Sequence, residues 1–399
     1  MRSAPAPQRA AAASSAPGSG FALWRLGFRP FYLLASLFAA LSVALWAAQF
    51  TGLLAAAVLP SPAWHAHEML FGFTLAVVVG FLLTAVRNWT EQPTASGAWL
   101  AGLAGLWLAA RVLVLTPYAG AAAVANVAFP LAAALAIAIP LVAAGNRRNY
   151  FFVLLLVGMA AAALAFHLAQ AGVWALPPQF GLQLALDIVL FVLAVMAGRV
   201  VPMFTNNGVP GAGAQRHPLV ERCALGSLLA LLGAQVLAAP PSVLAALAVF
   251  AAGAHLARWL LWHPWRTRAV PLVWVLHLAY AWIPVHLLLR AAGLLGMVAP
   301  SAAVHALAVG ALGGLTIGMM SRTARGHTGR PLRADGADVA CYLLVFAAAL
   351  ARVGVPLVAP QLTLAAAGVA AVLWSGAFAL YVLRYAPSLT RPRADGRPG

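Results

Sequence analysis

Five of the ten histidines fall at one depth along the apolar segments of this chain. Neutral imidazole is the commonest metal ligand in proteins, and it suits copper and haem iron in particular. A lone histidine in an apolar helix is more often a hydrogen-bonded core residue, but a layer of five from four segments favours a cofactor site. We expect a haem to be bound by residues among His65, His167, His286 and His305, and copper by residues among His65, His67, His286 and His305.

Glu68 follows His67 directly and is one of only seven acidic residues. At about 100° per residue, His65 and Glu68 share a helix face, whereas His67 points about 200° away from His65. One helix could therefore serve two sites. Glu68 could orient His65, bind the metal itself or relay a proton as a catalytic group, or it could merely stabilise the helix N-terminus.

A second pair of histidines lies deeper in the apolar segments. His255 and His277 each stand roughly seven residues from the end of their segment, on neighbouring segments, so their imidazoles share one depth. Bis-histidine haem ligation or a proton route would need such a pair, and plain core packing is an equal alternative.

The segments that must position these side chains are long and apolar. Of 399 residues, 64% are hydrophobic and 8% are charged, with a mean hydropathy of +0.93, whereas soluble domains carry about 25% charged residues. Since a bilayer needs roughly 20 apolar residues per helix, the sequence predicts an all-α, polytopic transmembrane helical bundle of about twelve helices. The expected spans are residues 31–52, 66–86, 98–116, 121–143, 150–172, 180–200, 223–239, 242–262, 270–290, 302–321, 338–358 and 363–385.

The arginines orient this bundle under the positive-inside rule. With the N-terminus in the cytoplasm, 21 of the 24 arginines fall in cytoplasmic loops, tails or adjoining helix ends, so both termini are expected to be cytoplasmic. The same distribution explains the net charge of +17 without a nucleic-acid partner. We expect a disordered cytoplasmic tail at 1–24, a single twelve-helix domain at 25–386 and a cytoplasmic tail at 387–399.

Only three arginines, Arg111, Arg290 and Arg352, fall toward the outer face, near the depth of the histidine layer. Arginine binds carboxylates in bidentate fashion, so these three could hold haem propionates. Snorkelling toward lipid phosphate is the alternative. Asp187, within the sixth span, could relay protons or pair with an arginine, and the ion pair is the preferred interpretation.

On the cytoplasmic side, the segment SRTARGHTGRPLR (321–333) combines glycines and arginines that could bind an anion. Topology already accounts for its positive charges. A nucleotide site is not indicated, because neither GxxxxGK[ST] nor GxGxxG after a strand occurs in the chain.

Several of these segments resemble one known family. They are GFRPFYLLA (27–35), WHAHEMLFGF (64–73), GFLLTAVRNWT (80–90), LWLAAR (106–111), GRVVPMFTNN (198–207) and HALAVGALGGLTIGMMSRTARGHTGRPL (305–332). In this order they are similar to the NnrS family of bacterial inner-membrane proteins. The resemblance extends from about residue 25 to 385, and the HxHE and GHTGR elements are its most specific parts.

The resemblance implies a twelve-helix protein of the bacterial cytoplasmic membrane that contains haem and copper. It further implies a link to nitric oxide metabolism and the relief of nitrosative stress in denitrifying and related bacteria. It carries His65, His67 and Glu68 over as the HxHE element, and His305 and His327 as the histidines of the last motif. One departure from the family pattern is Arg87, which stands where a proline is expected before NWT. The difference concerns the conformation of an inner loop and does not involve a candidate ligand.

Three functions remain open at this stage. The protein could be a haem- and copper-dependent oxidoreductase acting on nitric oxide, a metal or haem transporter, or a haem-based sensor or chaperone without turnover. Because the chain lacks CxxCH, any haem is expected to be b-type. A transporter would predict internal symmetry. The sequence shows only a weak similarity between residues 65–76 and residues 305–316. The sequence identifies no electron donor.

Overall fold

The structure, a computed structural model, describes residues 20–54, 62–173 and 175–397. These residues form twelve long helices and contain no β-strand. The helices are α1 Phe28–Phe50, α2 Pro62–Thr90, α3 Gly97–Leu113, α4 Ala119–Ala143, α5 Phe151–Gln170, α6 Pro178–Gly208, α7 Pro218–Val236, α8 Pro241–Leu260, α9 Pro271–Leu294, α10 Pro300–His327, α11 Gly336–Val358 and α12 Thr363–Thr390.

The predicted all-α polytopic bundle is confirmed. Eleven of the twelve helices are long and apolar enough to cross a membrane, and α3, with 17 residues, is the shorter apolar helix. The weakest expected boundary, at Pro240 and Pro241, is also present. There Ala238 leaves α7 with a positive φ of 52°, and Pro241 opens α8 at a position where its missing N–H costs nothing.

The two ends of the described chain meet at one end of the bundle. The backbone N–H of Ala22 donates to the Thr390 carbonyl at 2.8 Å, and Arg29 Nη1 donates to the Leu389 carbonyl at 3.0 Å. This is the arrangement that an even number of crossings requires. Residues 1–19 of the expected N-terminal tail lie outside the described residues. At the other end of the chain, α12 continues to Thr390, beyond the expected end of the last span at 385.

Helices α2 and α10 form the centre of the bundle. In their most apolar stretches 83% and 72% of residues are buried, more than in any other described span. Both helices contact protein on nearly all sides. Polar side chains near their N-terminal ends, at the end of the bundle opposite the chain termini (the expected outer end), therefore face other helices rather than lipid. These are the helices that carry His65, His67, Glu68 and His305.

Three π-helical segments interrupt the helices at the outer end of the bundle. They are Glu68–Thr74 in α2, Ala306–Gly313 in α10 and Leu350–Gly354 in α11. In α2 the carbonyls that this widening frees from regular pairing are satisfied by side chains: Thr74 donates to Met69 at 2.6 Å and Trp107 to Gly72 at 3.0 Å. Such segments occur frequently at functional sites, and each of these adjoins or contains a candidate site residue.

Candidate cofactor site

His67 and His167 face each other across α2 and α5. Their Nε2 atoms are 3.2 Å apart, and the ring of His67 also contacts Phe71 and Phe166. His67 Nδ1 lies 2.8 Å from Glu68 Oε1 and donates its proton to that carboxylate. Nε2 of His67 therefore carries a lone pair that points at His167, as a metal-binding histidine requires.

Glu68 is fully buried and anchors this pair to two further helices. Its Oε1 atom accepts a second bond from Arg111 Nη1 of α3 at 2.5 Å, and Arg111 Nη2 contacts Asn126 Oδ1 of α4. Asn126 in turn donates to the Ala122 carbonyl at 2.9 Å. Oε2 of Glu68 is buried without a hydrogen-bond partner among the described residues, so one carboxylate oxygen is left for a ligand or a proton.

The expected interaction between Glu68 and His65 does not form. Counting 100° per residue puts Glu68 about 60° from His65 and about 100° from His67, so its long side chain can turn to either one. Arg111 of α3 bonds the carboxylate and holds it on the His67 side. The carboxylate bonds the neighbouring His67 instead.

His65 belongs to a separate cluster on the other side of α2. Its ring stacks on Trp46 of α1 with a centroid distance of 5.6 Å and an interplanar angle of 10°, and its buried Nδ1 has no hydrogen-bond partner within the described chain. Arg352 of α11 and His305 of α10 both lie within electrostatic range of His65. His305 donates Nδ1–H to the Ser301 carbonyl at 2.7 Å, which leaves its Nε2 lone pair available. As expected, one helix contributes to two clusters.

The three outer arginines differ in their partners. Arg111 pairs with Glu68, and Arg290 pairs with Asp187 through bonds of 2.5 and 3.2 Å, so the preferred interpretation of Asp187 as an ion-pair residue agrees with its contacts. Arg352 has no carboxylate partner among the residues that the structure describes. Of the three, only Arg352 offers a guanidinium that no protein carboxylate neutralises.

His286 stands apart from both clusters in its contacts. Its Nδ1 donates to the Ala303 carbonyl at 2.8 Å, and its Nε2 is buried and lacks a hydrogen-bond partner in the described part of the chain. The imidazole therefore has the tautomer of a ligand, with a free lone pair inside the protein. The structure brings it against α10 and shows no contact with His67, His65 or His167.

The deeper pair does not converge on a common space. His255 uses both ring nitrogens within the protein, bonding Tyr280 at 2.6 Å and the Ala224 carbonyl at 3.1 Å. His277 Nε2 bonds Thr205 Oγ1 at 2.7 Å. Haem ligation by His255 would have to break one of these two hydrogen bonds, because neither ring nitrogen is free, so packing within a polar network describes this residue better than ligation.

Across the described residues, no group of three or more His, Cys, Asp or Glu side chains is arranged to hold a metal ion by itself. Each of the two clusters instead brings together two imidazoles, those of His67 and His167 in one and those of His65 and His305 in the other. Sequence reasoning ranked His167 below other ligands and passed over Trp46 and Asn126. Asn126 carried a usable signal, because it is the one strongly polar side chain within an Ala-rich span.

The fold and these two clusters define a multi-pass helical membrane protein with buried histidine sites near one end of its bundle. Residues 22–393 match the NnrS protein family, which is nearly the whole chain, and the protein belongs to that family. A comparison with curated proteins gave no match.

Proposed function

We propose that this protein binds haem and copper in the bacterial inner membrane and acts on, or responds to, nitric oxide. Membership of the NnrS family supports a role of this kind. The observation that carries the proposal is the pair of facing Nε2 atoms of His67 and His167, held by the carboxylate of Glu68 inside an apolar bundle.

Copper is assigned to the cluster of His67 and His167. The two Nε2 atoms are 3.2 Å apart, so both imidazoles would be able to hold one metal ion. Imidazole suits copper, and a carboxylate on the far ring nitrogen is the usual support of a histidine ligand. Because Glu68 bonds the far ring nitrogen of His67, its carboxylate would support this ligand and not bind the metal itself.

Haem is assigned to the cluster of His65 and His305. Two imidazoles with free nitrogen atoms come from two different helices, and Trp46 offers a flat apolar surface beside one of them. Arg352 supplies the positive charge that a propionate carboxylate would need in this environment. When bound, these groups supply one-electron chemistry and a coordination position for a diatomic gas.

The protein's own contribution is to hold the ligands, exclude water and hold or move a proton. Arg111 compensates the buried negative charge of Glu68, and the aromatic rings of Phe71 and Phe166 shield His67 from solvent. Oε2 of Glu68 is free to take up a proton for the reacting gas. Nitric oxide is small, neutral and apolar, so it can enter from the lipid between helices that are joined by short outer loops.

The proposal is tested on the purified protein by optical spectra with and without dithionite, together with elemental analysis. We expect a b-type haem spectrum, loss of copper in His67→Ala and His167→Ala, and loss or change of the haem band in His65→Ala and His305→Ala. His263→Ala, in the inner loop before α9, is the matched control, because this histidine bonds the Ala212 carbonyl and packs on Trp265, away from both clusters.

Turnover is tested separately, by following nitric oxide consumption with a supplied reductant. Consumption that is lost in Glu68→Gln with both cofactors retained supports an enzyme. Binding of the gas without consumption supports a sensor or carrier. A protein that is free of haem and copper when expressed with both available would refute the proposal.

A further inference from the structure

Arg29 is an arginine buried at the inner end of the bundle, with a relative exposure of 0%. It stands in the first turn of α1, and its Nη1 donates to carbonyls at and beyond the C-terminus of α12, at 3.0 Å to Leu389 and 2.8 Å to Arg391. This half of the guanidinium caps the negative end of the α12 dipole. Snorkelling to the membrane surface cannot explain a side chain that water does not reach.

The other half of the same guanidinium has no partner. Nε and Nη2 of Arg29 are both buried and make no hydrogen bond to the described residues. These two N–H groups lie along one edge of the planar guanidinium and point in parallel, which is the fork that binds two oxygens of one oxyanion. Leaving a charged donor buried and unsatisfied is costly, so this edge has the form of a binding site.

The surroundings of Arg29 are positive. Arg25, Arg330 and Arg393 all lie within electrostatic range of Arg29, and Arg87 and Arg393 act on the nearby His327. The carboxylate of Asp395 is engaged by Arg393 through bonds of 2.8 and 2.5 Å. Four of the arginines have no carboxylate partner within the described chain, namely Arg25, Arg29, Arg87 and Arg330. The positive-inside rule explains arginines that face the cytoplasm, but it does not explain why several arginines lie close to the buried Arg29.

The GHTGR element supports a chain segment that lies against the cluster. The Ala394 N–H donates to the Thr328 carbonyl at 2.9 Å, and Arg393 Nη1 donates to the His327 carbonyl at 3.2 Å. Gly329 has a φ of +73°, and a Cβ there would come within 2.7 Å of the Asp395 carboxylate. Glycine is therefore required at this point, because the C-terminal segment approaches the backbone closely.

We propose that the inner cluster binds an oxyanion of the phosphate class. The donors are Nε and Nη2 of Arg29. Arg25 and Arg330 add positive charge, and the C-terminal segment lies beside Arg29 and the GHTGR element. Two sources share this chemistry at the inner membrane surface: inorganic phosphate from the cytoplasm and the phosphodiester of an anionic phospholipid headgroup. This site is independent of the histidine clusters, which lie at the opposite end of the bundle.

The test uses the full-length protein in a neutral detergent and measures its thermal unfolding. One arm adds inorganic phosphate against sodium chloride of equal ionic strength, and the other adds phosphatidylglycerol against phosphatidylcholine. We expect the unfolding temperature to rise with concentration in at least one arm. A response to phosphate identifies a soluble oxyanion, and a response to phosphatidylglycerol alone identifies a lipid headgroup.

Two variants show whether the response belongs to this site. Arg29→Lys keeps the charge but not the fork, and we expect its apparent affinity for the responding probe to fall about tenfold or more. Arg330→Gln removes a charge without touching the carbonyls that Arg29 caps, so it covers the case in which Arg29→Lys does not fold. Arg147→Gln, in the exposed inner loop before α5, is the matched control and should respond like the parent protein. Equal responses in all four proteins, or no response above the chloride and phosphatidylcholine controls, would overturn the proposal.

Discussion

Replacing Glu68 by Gln tests whether the carboxylate acts through His67. Glutamine retains an oxygen that can accept from His67 Nδ1 and Arg111 Nη1, which bond Glu68 Oε1 at 2.8 and 2.5 Å, but it removes the negative charge. Loss of such a supporting group typically lowers metal affinity about 10–100-fold, which corresponds to roughly 1.4–2.7 kcal/mol. We therefore expect Glu68→Gln to bind copper about 10–100-fold more weakly than the parent protein, without losing copper altogether.

The assay is a competition titration of the purified, metal-depleted protein with a chelator of known copper affinity. Glu68→Gln also leaves Arg111 buried without its counter-charge, and this could weaken binding by loosening the fold. The double variant Glu68→Gln, Arg111→Gln removes both charges and controls for that effect. If the carboxylate acts through His67, the double variant remains weakened. Restoration of parental affinity in the double variant, or an unchanged affinity in Glu68→Gln, would refute the assigned role.

Three further predictions concern other parts of the molecule. Arg352→Gln should lower the haem content several-fold in a pyridine haemochrome assay while copper stays unchanged, because its guanidinium lies within electrostatic range of His65 and His305. Arg290→Leu should lower the free energy of unfolding by about 3–5 kcal/mol in a denaturant titration, because it leaves Asp187 buried and unpaired, and adding Asp187→Leu should recover most of the loss. Burial alone would raise the pKa of Asp335 in the loop before α11, but hydrogen bonds from Arg384 and the Asp338 N–H, with the positive charges of Arg384 and Arg325, lower it to about 2. Its contribution to stability is therefore complete above about pH 4 and is lost as the pH falls toward 2, so Asp335→Asn should flatten the acid limb of a pH titration of the unfolding temperature.

The number and order of helices could be predicted from the sequence, because each membrane crossing needs about 20 apolar residues and is bounded by proline, glycine or arginine. Helix ends were less predictable. Helix α6 continues to Gly208, well past the expected end at 200, since the chain after Arg199 remains helical through Pro202 and through the polar residues 205–207. Apolarity marks the part of a helix that lies in lipid, and it does not mark where the backbone hydrogen bonds stop.

The depth of the histidine layer was also predictable, whereas the pairing within it was not. Depth follows from counting residues at 1.5 Å each. The pairing of His67 with His167 spans 100 residues and depends on how α2 packs against α5 and α6. In the same way, the bond between Glu68 and Arg111 depends on how α2 is rotated against α3, and α2 also contains a π-helical segment. No sequence pattern used above signals that segment.

The helical offset within α2 explains how a single layer can hold two distinct clusters. In a regular helix, residues two apart point to opposite sides, and this offset sends His65 toward Trp46 and His67 toward His167. Glu68 follows about 100° from His67 and about 60° from His65, and its long side chain bonds His67 and Arg111. The widening that begins at Glu68 interrupts the regular backbone pairing, and the side chains of Thr74 and Trp107 bond carbonyls there. Similar segments follow His305 and include Arg352, so the irregular backbone of these helices is concentrated beside the polar side chains of both clusters.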